Sequence, residues 1–185
     1  MGADDSANVK ALEAPALTPI SIPARLADAP VEPPKYAVTV QDSAGAEVIV
    51  ADPNATRAAV ALMNVHAVVG GAACHWGGPA AFAEIMAAAH ALMFATKGRQ
   101  WHEAFHFVND AGHTENGVYA LRANYAFDGM SYETLRGFRG IESKLTGHGE
   151  SHINPEGILI SNGPLGSGLP QAQGLAIGDK MAGNE

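Results

Sequence analysis

Ser161-Asn162-Gly163-Pro164-Leu165-Gly166-Ser167-Gly168-Leu169-Pro170 follows the apolar, β-branched run Gly157-Ile-Leu-Ile160 and precedes a stretch with helix-forming residues to about Met181. This order predicts a strand, a rigid glycine-proline turn and a helix from about Leu169 to Met181. Such a turn exposes main-chain donors and acceptors, and the start of the helix adds a favourable place for an anion. No lysine stands where a Walker loop requires one. Glycine-rich strand-to-helix turns are common, so the motif needs its neighbours to acquire a meaning.

Working back from it, Phe105-His-Phe-Val-Asn109 is short and apolar and reads as a second buried strand, followed by a helix through Val118, Leu121, Arg122 and Tyr125. Ser131 to Phe138 reads as a short helix with Ser131 and Thr134 as capping residues. Upstream, Pro79 to about Thr96 is alanine-rich with Phe82, Ile85, Met86, Ala89 and Met93 on one side. Before it, Asp52-Pro53-Asn54 caps a helix whose apolar face is Val60, Met63, Ala67 and Val68, ending at Gly70-Gly71. Tyr36–Val40 and Glu47–Val50 alternate as strands around Asp42-Ser-Ala-Gly45 and predict a hairpin, an edge or docking element without visible chemistry. Residues 1–34 are proline-rich without period and read as a flexible leader. The alternation of helices with one or two short apolar strands points to α/β, and the strands are too few for a complete sheet.

The chain has 185 residues, 47% hydrophobic, enough for one domain with a core, and a formal charge of −8. That charge repels phosphate backbones and anionic lipid, which argues against nucleic-acid and membrane-surface roles. Ala58 to Ala83 holds no charged residue, but Asn64, His66, His75 and many alanines argue against a membrane span. The single cysteine, Cys74, excludes an intramolecular disulfide framework and a multi-cysteine zinc site, and points to the cytoplasm.

His102-Glu103-Ala104-Phe105-His106 fits the H-E-x-x-H pattern of zinc hydrolases, in which one helix presents both imidazoles and the glutamate acts as base. The strand-like Phe105-His-Phe-Val and the lack of a downstream glutamate ligand argue against it. Eight histidines is a high count, and three lie in glycine loops: His75 in Cys74-His-Trp-Gly-Gly78, His113 after Gly112, and His148 between Gly147 and Gly149. A histidine there can donate or accept a hydrogen bond while the adjacent glycine leaves room for a ligand. His66 and His90 read as helix-surface or satisfied core residues.

In order and spacing, His75, Trp101, Phe107-Val108, Gly112-His113, Phe138-Arg139, Gly147-His148 with Glu150, and Gly163-Pro164-Leu165-Gly166-Ser167-Gly168 resemble the amino-terminal thiamine-diphosphate-binding module of transketolases over about residues 56–185. The resemblance implies an α/β, incomplete thiamine-diphosphate-binding three-layer fold, helices packed on a partial parallel sheet with an N-terminal β-hairpin, with residues 1–34 as flexible leader, 35–51 as hairpin and 52–185 as the front part of the cofactor domain. It implies a transferase that moves a two-carbon ketol unit between sugar phosphates. His75 would face the substrate, His113 would contact the cofactor's diphosphate, and His148 would lie between cofactor and substrate hydroxyls. Gly163, Pro164 and Leu165 would present main chain to the aminopyrimidine and thiazolium.

The resemblance also sets expectations for what lies outside this sequence. The family holds Mg²⁺ on a Gly-Asp-Gly strand after the last helix, and Gly178-Asp179-Lys180 lies inside that helix and is not it. No metal ligand is therefore expected in this chain. The family's activating glutamate belongs to a pyrimidine domain, contributed across a dimer interface, so a downstream segment or subunit and a homo- or hetero-oligomer are the expected partners. Two departures bear on substrate: Trp76 replaces the proline of His-Pro-Gly and would reshape the donor pocket, and Gly149 stands where proline usually follows the third histidine. Gly117–Arg122 resembles homodimeric 2-oxo-acid dehydrogenase E1 components, an alternative enzyme class; a non-catalytic assembly module is the alternative outside enzymes.

Overall fold

The computed structural model describes residues 25–184. At its centre is α5 (Glu115–Asn124), every residue of which is buried although Glu115, Asn116, Arg122 and Asn124 are polar. A helix enclosed on all sides must pair its polar groups internally, and those pairs hold the surrounding loops.

The hairpin forms as expected, with β1 (Ala37–Gln41) antiparallel to β2 (Glu47–Ala51) and Thr39 opposite Ile49. Asp42 accepts the main-chain N–H groups of Ala44 and Ala46 at 2.8 and 2.9 Å, and Gly45 takes the left-handed φ of +81° that closes the turn. Val50 and Ala51 bury against Ala87, Leu121 and Tyr125. The Asn124 side chain exchanges two 2.8 Å hydrogen bonds with the Tyr36 main chain, so the end of α5 is fastened to the start of the hairpin.

α1 (Pro53–Val69) begins at Asp52, whose carboxylate accepts the Asn54 N–H at 2.8 Å, with Pro53 in the first turn. Its Val60, Met63 and Ala67 pack on Tyr119, Ala120 and Ala123 of α5, with Leu135, Phe138, Leu145 and Ile158 closing the same core. The helix expected over Pro79–Thr96 is two: α2 (Gly77–Ala81) and α3 (Ala83–Phe94), parted at Phe82. Arg57 clasps the break, donating to the Ala80 carbonyl at 3.0 Å and to both oxygens of Glu84 at 2.7 and 2.6 Å. The Phe82 ring fills the space left by Gly117, where a Cβ would lie 2.8 Å from it.

Three sequence expectations need correction. Phe105–Asn109 and Gly157–Ile160 are not hydrogen-bonded strands; among the described residues the only sheet is the hairpin, so the partial parallel sheet is not formed there. Their apolar side chains face the core from irregular backbone, Phe105, Phe107 and Leu159 against the Leu26, Met93, Trp101 and Phe127 cluster and Ile158 against α1. Finally, the described end of the expected leader is tethered: Leu26 is buried, Ala27 N–H donates to Glu156 O at 2.8 Å, and the Ala27 carbonyl accepts the Trp101 indole N–H at 2.8 Å. Residues 1–24 lie outside the described part.

Ser131 and Thr134 cap each other's main chain at 3.0 and 3.3 Å as expected, although the turn they start, 134–137, is a 3₁₀ helix. The last helix, α6 (Gly168–Ala182), buries only Gly168. Among the described residues no helix is long and apolar enough to cross a membrane.

Candidate functional site

Four loops meet beside the N-terminal end of α5. Asn64 of α1 and Asn116 of α5 each donate a side-chain N–H to the His75 carbonyl at 2.9 Å, and Asn116 also donates to the Asn64 side-chain oxygen at 3.1 Å. These amides fix the loop after α1 so that the His75 ring lies over His113, centroids 4.7 Å apart. Cys74, beside it, is half-buried and its thiol is pushed up in pKa by that burial, opposed by the Arg139 charge.

Glu115 binds the other loops. It is buried, and one carboxylate oxygen accepts the Asn109 amide at 2.7 Å and the Asn162 amide at 3.0 Å. Asn162 in turn accepts the Gly149 N–H on its side-chain oxygen at 2.7 Å and donates its own N–H to the Gly149 carbonyl at 2.9 Å. Gly112 closes the knot, since a Cβ there would fall 2.3 Å from the Asn162 oxygen and 2.7 Å from Gly163 N. One buried acid therefore draws together the loop of His113, the loop of His148 and the Gly-Pro turn. Burial pushes the Glu115 pKa up, against the hydrogen bonds of Asn109 and Asn162 and the charges of Arg122 and His148.

Of the residues singled out in the sequence, His75 and His113 meet ring to ring and His148 meets Gly163, with Pro164 and Leu165 following in the same turn. The His148 ring stands 3.7 Å from where a Gly163 Cβ would be, so the turn passes directly over it, with Gly163 at φ +139°. Pro164 and Leu165 are exposed, but the Pro164 carbonyl already accepts the Ser167 N–H at 3.2 Å and hydroxyl at 2.7 Å, so Gly163 and Leu165 are where the turn can offer main chain to a ligand. Partial burial lowers the His75 pKa, and the charges of His113, Arg139 and His148 lower it further; the ring is neutral near pH 7 and able to accept or donate one proton. Arg139 adds a fixed positive charge: its guanidinium packs on Gly147, 2.5 Å from where a Cβ would stand, and its Nε is buried without a hydrogen-bond partner.

Four contributors lack a signal in the sequence: Glu115, Asn162, Asn116 and Asp110. The first three are polar residues whose burial only the assembled fold reveals. Asp110 accepts the N–H groups of Gly168 and Leu169 at 2.7 and 3.2 Å, so the start of α6, expected to favour an anion, already holds the protein's own carboxylate.

The H-E-x-x-H geometry is not formed. Its helix, α4, covers only Trp101–Ala104, and Phe105 is extended at φ −138°, ψ 133°. Glu103 accepts the Gln100 N–H at 3.0 Å in a capping box, and His106 turns to Asp179 at 3.1 Å. Among the described residues no three His, Cys, Asp or Glu side chains are grouped to hold a metal ion. His90 is a buried core residue, its pKa lowered to about 3 by burial and by Arg122, with Nδ1 3.0 Å from the Met86 carbonyl.

Comparison with known proteins then decides the family. The family model for the transketolase thiamine diphosphate binding domain matches residues 53–185, well over half the chain. The chain belongs to that family. Transketolase of Dictyostelium discoideum is 35% identical over 122 residues, 65% of this chain and 18% of that protein. Transketolase-1, chloroplastic, of Arabidopsis thaliana is 37% identical over 89 residues, 48% of this chain and 12% of its own length. Transketolase of Rhodobacter capsulatus is 30% identical over 125 residues, 66% of this chain and 18% of its own. The chain thus spans less than a fifth of the length of these relatives. No solved structure matches it significantly. As a transketolase thiamine-diphosphate-binding module, the chain is an α/β domain whose described residues carry helices and one hairpin.

The cleft suits the cofactor of this family. Three imidazoles and an unpaired guanidinium edge give hydrogen-bonding and positive groups for a diphosphate, and the main chain of Gly163 and Leu165 can pair with the polar edge of a heteroaromatic ring.

Proposed function

We propose that this chain is the front portion of a transketolase-type enzyme that transfers a two-carbon ketol unit between sugar phosphates with thiamine diphosphate. The supporting observation is the convergence of His75, His113 and His148 with the Gly163-Pro164-Leu165 turn, locked by Glu115 and Asn162. Residues 52–185 form the cofactor-binding unit, 35–51 the hairpin packed on it and 1–34 a leader whose described part is tethered at Leu26 and Ala27.

Bound there, thiamine diphosphate supplies the carbanion and the electron sink that carbon–carbon cleavage needs. The protein's part is positional and protic. His113 holds the diphosphate, and the Gly163–Leu165 main chain orients the rings. His75, neutral near pH 7, faces the substrate and takes or returns a hydroxyl proton; His148, under the turn, holds hydroxyls between the two ligands. Trp76, half exposed beside His75, narrows the donor side. Mg²⁺ ligands, the activating glutamate and a dimer partner come from further sequence, which completes the site in a cytoplasmic enzyme.

The test is calorimetry with thiamine diphosphate and Mg²⁺ on this chain alone and after complementation with a downstream transketolase segment. Weak binding alone and Mg²⁺-dependent binding after complementation are expected. Tight Mg²⁺-dependent binding by the chain alone contradicts the division of ligands, and no binding after complementation overturns the assignment.

A further inference from the structure

The face of α5 that carries Glu115 runs on through Tyr119 to Arg122, positions four and three residues apart on one side of the helix. Arg122 is only 2% exposed. Its Nε lies 3.3 Å from His90 Nε2, one terminal nitrogen donates to the Gly157 carbonyl, and the Phe127 and Phe107 rings stand 4.9 and 5.5 Å from its carbon. Among the described residues no carboxylate reaches it within ion-pair distance. A buried cation whose opposing charge, Glu115, acts on it without touching it is costly, and its planar fork is built to grip an oxyanion.

Arg122 lines a cavity of about 270 Å³ that opens to solvent, and Tyr119 lines it too. The Tyr119 hydroxyl is buried; it sits near Thr146 without forming a well-shaped hydrogen bond, so it is an unspent donor. Thr134, Ser143 and Asn154 add neutral polar groups, and Lys144 stands at the mouth, paired with Glu156 at 3.1 Å. The one carboxylate on the lining, Asp128, is on the exposed rim. None of the cleft histidines and no residue of the Gly-Pro turn borders this cavity.

We propose that this cavity binds the phosphate group of a small phosphorylated metabolite, with Arg122 and Tyr119 as inner donors and Lys144 as the cation at the entrance. The volume leaves room for a few carbon atoms beyond the phosphate. The site is independent of the histidine cleft and does not rest on its assignment.

The probe is inorganic phosphate, titrated at constant ionic strength into the full chain and followed by calorimetry and by amide shifts, with acetate as the second arm. Saturable phosphate binding is expected, with shifts centred on Ser143–Leu145 and little response to acetate. Tyr119→Phe and Lys144→Gln, neither of which removes core packing, should each weaken binding about tenfold, the loss of one hydrogen bond or charge contact to an anion. His113→Ala should leave it unchanged. Absence of saturable binding, binding that survives both substitutions, or binding abolished by His113→Ala, which would put the phosphate in the histidine cleft, overturns the proposal.

Discussion

The Glu115 carboxylate accepts the Asn162 side-chain amide at 3.0 Å inside the protein, although 47 positions separate the two residues. This one contact joins the central helix to the Gly-Pro turn. Replacing Glu115 with Ala strands the Asn109 and Asn162 amides in the interior, and a destabilisation of about 2–4 kcal/mol is expected from two orphaned donors. Urea unfolding of the variant measures it; a loss within experimental error of zero would show that the clasp contributes nothing.

The same acid makes stability depend on pH. In the folded chain burial holds the Glu115 proton to higher pH than in the unfolded chain, where it is lost near about 4.3. The folded state therefore binds more protons over that interval, and the Glu115 contribution, full below the unfolded pKa, is lost as pH rises through the folded one. Glu115→Gln does not titrate, so the stability of the native chain relative to this variant should fall steadily from about pH 4 upward. A difference that is flat or rises with pH would refute this.

Gly168 lies so close to Asp110 that a Cβ would be 2.5 Å from the Asp110 Cα, a backbone atom without room to retreat. Gly168→Ala should cost about 1–3 kcal/mol, the usual range for overpacking, and α6 should exchange its amide hydrogens faster. Unchanged protection along α6 would count against the contact.

Asp110→Ala removes the acceptor of two N–H groups at the same helix start and should cost about 0.5–2 kcal/mol, with Asp110→Asn retaining most of the stability. Thermal unfolding of the pair reads this out. Equal losses for the two variants would assign the effect to charge instead of the cap.

His113→Ala, at a half-buried side chain with no structural hydrogen bond among those described, should leave stability within about 0.5 kcal/mol. In the complemented assembly it should weaken cofactor binding by about tenfold or more, the range for a hydrogen bond to a charged group. Calorimetry on both forms separates the outcomes, and full affinity in the variant would remove His113 from the diphosphate.

The cleft histidines and the glycine-proline turn were legible in the sequence because their chemistry is local: a histidine next to glycine, a proline between glycines. The helices at Asp52-Pro53 and Leu169 were legible through caps and period. Phe105–Asn109 and Gly157–Ile160 misled because a short apolar run reports burial and not pairing, and in this chain their burial is supplied by α1, α3 and Phe127 without a ladder. Glu115 gave no signal since its environment is assembled from Asn109 and Asn162, six and 47 residues away. The break at Phe82 was invisible because alanine runs favour an unbroken helix and only the Arg57 clasp and the Gly117 notch make the interruption favourable.

Asp110 sits at the amino end of α6 with its carboxylate already on two of the N–H groups that would otherwise attract an anion. A single carboxylate thus turns the start of this helix into an internal staple, and an anion entering the cleft must find its partners among side-chain cations instead.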